Sequence, residues 1–319
     1  MPGENPLEAM RVITEELPGF PHLPELPGRG PGADIIGRAA ALLVDIPAEI
    51  TPRGWRIAER PGRDGRRARS YLSADLDALE EVLDGYEGPL KLQVAGVWTL
   101  AAACEQPRSL NPALADPGLV ADLAASLAEG IAAHAGQVAK RLPRATLAVQ
   151  LDEPALPAVI AGTVPTASGL GRVRAPDEEF VRDRLRQVVA AVSGWFSIVH
   201  CCSREYPFGI MRGLGVNAVS LDLSQLRAPD YDELAATAEA GLGLLLGYPE
   251  RIGPTPKAAA DSVAEVWRRM AQPPARCAEQ VVITPACGLA GSSPSHARET
   301  LKLVREAARI LPDLMGDLS

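Results

Sequence analysis

Short apolar runs, each stopped by a polar residue and each followed by a stretch of helical periodicity, recur down this chain and constrain its fold more than any other feature. In the second half the pattern is regular: Trp195–Val199 stops at His200, Ala218–Leu221 at Asp222, Gly243–Gly247 before a Pro-rich loop, and Gln280–Thr284 near Cys287. Helical spacing separates them, over Glu178–Val192, Tyr231–Ala240 and Ala258–Met270, with Ser295–Leu311 closing the chain. Runs that are apolar throughout fit strands buried on both faces, and β-then-α order lays such strands parallel under a cover of helices. In the first half Leu90–Trp98 alternates as a strand does, and Ala145–Leu151 is a buried strand ending in Asp152, Glu153 and Pro154.

Seven strands are predicted, near residues 21, 91, 147, 197, 219, 245 and 282. The fold class expected is α/β, a TIM-type (β/α)8 barrel, with residues 1–319 forming a single catalytic domain. One strand is missing from eight. Because residues 5–17 read as a helix capped by Asn5, where a βα unit opens with a strand, the absent member is expected upstream of Met1. The first strand is then truncated by a late start, or the barrel is opened, and the mass of the native protein tests which. The basic stretch Arg60–Arg69 is interrupted by Gly and Asp and reads as a solvated loop, with anion binding as the lesser option, and Ser73 is placed to cap a helix running to Leu83.

Composition excludes some functions. The formal charge is −8 and no basic cluster is interleaved with aromatics, which argues against a nucleic-acid partner. No signal segment and no membrane-length apolar run is evident, so a cytoplasmic protein without a membrane partner is expected. Five cysteines, two of them adjacent, make free thiols or metal ligands rather than a disulfide framework.

In a barrel of this type the chemistry gathers at the carboxyl ends of the strands. Here those ends carry Glu25, Trp98, Asp152, Glu153, His200, Cys202, Asp222 and Cys287. His200 and Cys202 are two residues apart and share a face of an extended strand, and imidazole with thiolate suits a zinc ion. One His, two Cys and one carboxylate complete such a set. Each member also has a plainer reading: a buried His beside small apolar thiols, Asp222 as a helix cap, Cys287 as a buried Cys in a tight turn. Asp152 and Glu153 serve either as a helix-entry device or as a holder for an amino acid's ammonium. Cys104 and Cys277 read as structural.

Gln150-Leu-Asp-Glu-Pro-Ala-Leu156, His200-Cys-Cys202, Val219-Ser-Leu-Asp222 and Pro285-Ala-Cys-Gly-Leu289, in this order and spacing, resemble the catalytic barrel of the cobalamin-independent methionine synthase family. The likeness runs from about Pro18 to the last helix, and His22–Asp34 further resembles a short, single-barrel actinobacterial branch. The resemblance implies zinc on His200, Cys202 and Cys287, with Asp222 standing where the family carries Glu. It implies that Asp152 binds the amino group of homocysteine, with Glu25 sharing that task, and that homocysteine takes a methyl group from 5-methyltetrahydrofolate. Where the long enzymes have a His suited to protonating the folate, only Glu250 and Arg251 stand nearby, and Glu250 is the candidate acid. The folate-stacking aromatic falls at Ala103, with Trp98 a little earlier as its candidate replacement. Other readings remain open: a zinc thiol methyltransferase using a corrinoid or another donor or acceptor, a uroporphyrinogen decarboxylase-like barrel, or a metal-binding barrel without catalysis.

Overall fold

The computed structural model describes residues 1–249 and 254–316. Its strands are β1 (Ala48–Thr51), β2 (Gly54–Ile57), β3 (Pro89–Ala95), β4 (Glu105–Gln106), β5 (Ser109–Pro112), β6 (Thr146–Asp152), β7 (Phe196–Cys201), β8 (Ala218–Asp222), β9 (Gly243–Tyr248) and β10 (Val281–Pro285). Six of them form one sheet in the order β10-β9-β8-β7-β6-β3, every pair parallel. The segment at His22 joins the edge beside β3 by a single bridge, in which Lys91 N donates to Pro21 O at 3.0 Å and Leu23 N to Lys91 O at 3.0 Å.

The sheet has two apolar faces. Leu147, Val149 and Leu151 of β6, Val219 and Leu221 of β8, and Leu244 and Leu246 of β9 enter the main core, under helices such as Pro117–Arg141 and Pro256–Arg269. The alternate residues Ala148, Ile198, Ala218 and Leu245 make a separate small cluster on the other face, and Phe20 packs against it. Phe20 precedes the bridged segment beside β3, so contact with this cluster means the sheet curls around an inner space. The architecture is a curved parallel half-barrel. Among the described residues no strand links β10 back to the His22 segment, so a closed eight-stranded barrel is not seen, in keeping with the expectation of one strand short of eight. Helices complete the circuit instead: Arg298 of helix Pro294–Gly316 pairs with Glu16 of helix Pro6–Glu16 at 2.7 Å, and Arg305 pairs with Glu16 at 3.2 Å.

Two expectations from the first half are corrected. The basic stretch belongs to the start of helix Arg63–Val82, with Ser73 inside it rather than at its cap. Gly65, Ala68, Leu72, Leu76 and Leu79 lie buried along one side of this helix, a helical stripe that outweighs the glycine. A second, four-stranded sheet, β1-β2-β4-β5, lies in segments where the sequence predicts no strand. No helix among the described residues is long and apolar enough to cross a membrane.

Candidate functional site

Strand parity decides which residues meet. Sheet register puts Asp152 of β6 beside His200 of β7, and His200 beside Ser220 of β8. All three alternate with residues of the main core and therefore face the inner space. Backbone bonds pin these strand ends: Glu153 N donates to His200 O at 2.7 Å, and the Ser203 hydroxyl donates to Pro154 O at 2.6 Å.

His200 Nδ1 lies 2.9 Å from Ser220 Oγ, which leaves Nε2 free of that contact. Burial first, and the Lys91 charge second, push the imidazole down to about 4, so it is neutral and able to ligate at physiological pH. Cys201 lies buried in the opposite direction, its thiol pushed up to about 11 by burial. Cys202 is half-buried, and its thiol lies near enough to that of Cys287, exposed just past the end of β10, for the two to titrate as a pair. Their interaction draws Cys287 down to about 7 and drives Cys202 upward, as expected for two neighbouring thiols that do not both ionise. Two intervening strands separate β7 from β10 in the sheet; the thiols come near each other because the sheet is curled.

Asp222 ends β8 and caps the turn Leu223–Gln225, its Oδ1 accepting from Ser224 N at 2.8 Å and its Oδ2 from Gln225 Nε2 at 3.4 Å. Its charge bears on both His200 and Cys287. Among the described residues no three His, Cys, Asp or Glu side chains stand close enough to hold a metal ion as placed. The donor set nevertheless suits zinc chemically: two neighbouring thiols, and a neutral imidazole anchored through its other nitrogen.

The paired acids have separate tasks. Glu153 is wholly buried and accepts from Trp98 N at 3.1 Å, Thr99 N at 2.8 Å and Thr99 Oγ1 at 3.0 Å, so it caps the helix Val97–Ala103. Burial pushes it up to about 7, against the pull of those three bonds. A Cβ at Gly96 would lie 2.2 Å from Glu153 Oε1, so that position must be glycine for the carboxylate to approach the helix end. Asp152 faces the inner space, accepts from Gln150 Nε2 at 2.7 Å, and is raised to about 6, chiefly by burial. Glu25 is raised to about 7 by burial, and the charge of Asp152 adds to that shift. Its nearest cation is Arg38, with Nε 3.7 Å away, and its Oε1 takes no hydrogen bond among the described residues.

Trp98 is a correction. It sits in the first turn of helix Val97–Ala103 rather than at a strand end, with no exposed surface, its ring edge-on to Phe180 and Nε1 donating to Val181 O at 3.3 Å. No ring face is left on which a ligand can stack. Glu250 and Arg251 lie outside the described residues. Cys104 and Cys277 are buried. Lys91, not singled out from the sequence, and Gln150, named there only within a motif, join the inner face, with Lys91 Nζ donating to Gln150 Oε1 at 3.2 Å. Their signal was polar residues at alternate positions of strands otherwise apolar enough to be buried on both faces.

The family described as cobalamin-independent synthase, catalytic domain, matches residues 112–310. The chain belongs to that family. The match takes in β6 to β10 and with them Asp152, His200, Cys202, Asp222 and Cys287. Among solved structures, the chain is similar to a B12-independent methionine synthase from Shewanella sp. W3-18-1 in complex with selenomethionine. The identity is 13%, the TM-score 0.64, and the alignment covers 98% of this chain and 89% of that one, a likeness of fold. No curated protein matches the chain by sequence. The family is one of methionine synthase-like methyltransferase domains.

Proposed function

We propose that this family member transfers a methyl group to the thiol of homocysteine, forming methionine, with zinc held by His200, Cys202 and Cys287 and with Asp222 as the further oxygen donor. The observation that supports the reading is that Cys202 and Cys287, from the ends of two non-adjacent strands, stand near enough to titrate as a pair, with His200 on the inner face of the same strand end as Cys202. When bound, zinc would keep the substrate sulfur as a thiolate at neutral pH. Asp152 and Glu25, two acids whose proton affinity burial has raised, are the natural holders of the substrate ammonium.

The donor is proposed to be 5-methyltetrahydrofolate. In the transfer the sulfur-to-carbon bond forms as the methyl-to-nitrogen bond breaks; the electron pair stays on the donor nitrogen, which takes up a proton. Glu250 is proposed as the source of that proton. The whole chain is read as one catalytic unit, and its free thiols suit a cytoplasmic setting.

The test is turnover. Zinc-loaded protein given homocysteine and 5-methyltetrahydrofolate is expected to produce methionine, detected by mass spectrometry, and Cys202→Ser to produce none. Methionine formed only from a methylated corrinoid would replace the donor. A zinc-loaded, folded protein that forms no methionine from either donor would overturn the reading.

A further inference from the structure

Lys91 is the one lysine placed on the inner face of the sheet by strand alternation among the described residues, and a cation there needs a reason. Its neighbours Leu90 and Leu92 are fully buried in the main core, so Lys91 points to the other side, where its ammonium meets Gln150. From Gln150 the chain of bonds runs on to Asp152 Oδ1. Gln150 and Asp152 are each 6% exposed, so the link is shielded from water.

The order of donors is forced. An ammonium only donates and a carboxylate only accepts, so the Gln150 amide has one orientation that satisfies both: oxygen toward Lys91, nitrogen toward Asp152. The alternative would set two acceptors against each other at Asp152 and two donors against each other at Lys91. One oxygen of Asp152 is thereby occupied from below, while Oδ2 accepts no hydrogen bond among the described residues. The charges facing this carboxylate are Lys91 from β3 and Glu25 from the loop after the bridged segment, with neutral His200 on β7.

We propose that Lys91, acting through Gln150, is a positioning residue that fixes Asp152 with its free oxygen toward the mouth, and so sets the preference of the site for ligands bearing an ammonium group. This rests on the reading of Asp152 as the holder of the substrate's amino group. It adds the device by which one carboxylate in a buried strand is held charged and aimed, and it assigns that device to two residues that touch no substrate.

The experiment compares binding of L-methionine with that of 4-(methylthio)butanoate, the same molecule without its amino group, by calorimetry on the full chain. Neither probe needs a methyl donor. Lys91→Met and Gln150→Leu are each expected to weaken L-methionine about tenfold while leaving the desamino compound within about twofold, so that selectivity falls. Asp152→Asn should do the same. If Lys91→Met and Gln150→Leu weaken both ligands in parallel, their role is structural and the proposal is overturned. It is overturned also if Asp152→Asn loses the preference while neither of the other two does. If Asp152→Asn itself keeps the full preference, the amino-acid reading fails, and the relay with it. Thermal unfolding of each variant identifies one that has not folded, and Gln150→Leu, which removes no charge, then decides.

Discussion

Glu153→Gln separates two opposing forces on one buried carboxyl group. Burial favours its protonated form, while three donors, Trp98 N, Thr99 N and Thr99 Oγ1, favour the carboxylate. Burial prevails, and the group is raised from 4.5 to about 7. A folded-state value above the unfolded one means stability that is fully present below pH 4.5 and lost as pH rises through 7, because the unfolded chain releases its proton first. The shift of some 2.5 units corresponds to about 3 kcal/mol. Glutamine does not titrate. At pH 4.5 the variant should be less stable than the natural protein by about 1 kcal/mol, for one weakened cap. By pH 8 the difference should move about 3 kcal/mol in favour of the variant. Urea unfolding of both proteins from pH 4.5 to 8 measures this, and the histidines cancel because both proteins carry them. A difference that stays flat, or moves against the variant as pH rises, would show that the three donors outweigh burial and would refute the reasoning.

Other substitutions have defined outcomes. Gly130→Ala, inside helix Pro117–Arg141, gains helix propensity but places a Cβ 1.9 Å from Leu42 O, so a loss of about 1–3 kcal/mol is expected, read as a lower melting temperature. Trp98→Phe should cost about 1–2 kcal/mol through the lost bond to Val181 O and reduced packing, with the KM for the methyl donor unchanged; a raised donor KM in a folded variant would put Trp98 back in the site. Asp152→Asn should retain bound metal while weakening L-methionine by about 10- to 100-fold, measured by calorimetry beside elemental analysis.

Much of the candidate site was legible because a parallel strand buried on both faces reads as a mainly apolar run that stops at an ionisable inner residue near its carboxyl end. Asp152, His200 and Asp222 are such stops, and each lies at or within one residue of the end of its strand. What was illegible turned on contacts between segments far apart in sequence. The division of labour between Asp152 and Glu153 depends on which face of β6 each takes, and on helix Val97–Ala103 bringing its amide groups to Glu153. The run through Trp98 alternates convincingly up to Ala95, and only the close approach at Gly96 turns it into a helix. The glycines and arginines of residues 60–69 suggest a loop, yet helix Arg63–Val82 begins there and buries Gly65 and Ala68, with Gly32 packed closely against Ala68. Four short strands carry too little periodicity to announce the second sheet. Lys91 was passed over because one lysine in a strand is ordinarily a solvated one.

The proposed activity requires Cys202 and Cys287 to act as metal ligands rather than as a pair of idle thiols. Bound zinc, measured by elemental mass spectrometry on protein purified without chelator, tests this most directly, beside Cys202→Ser and Cys287→Ser. About one zinc per chain in the natural protein, lost from both folded variants, is the predicted result. A natural protein that binds none when offered zinc, or a Cys287→Ser variant that keeps its zinc and full activity, would contradict it.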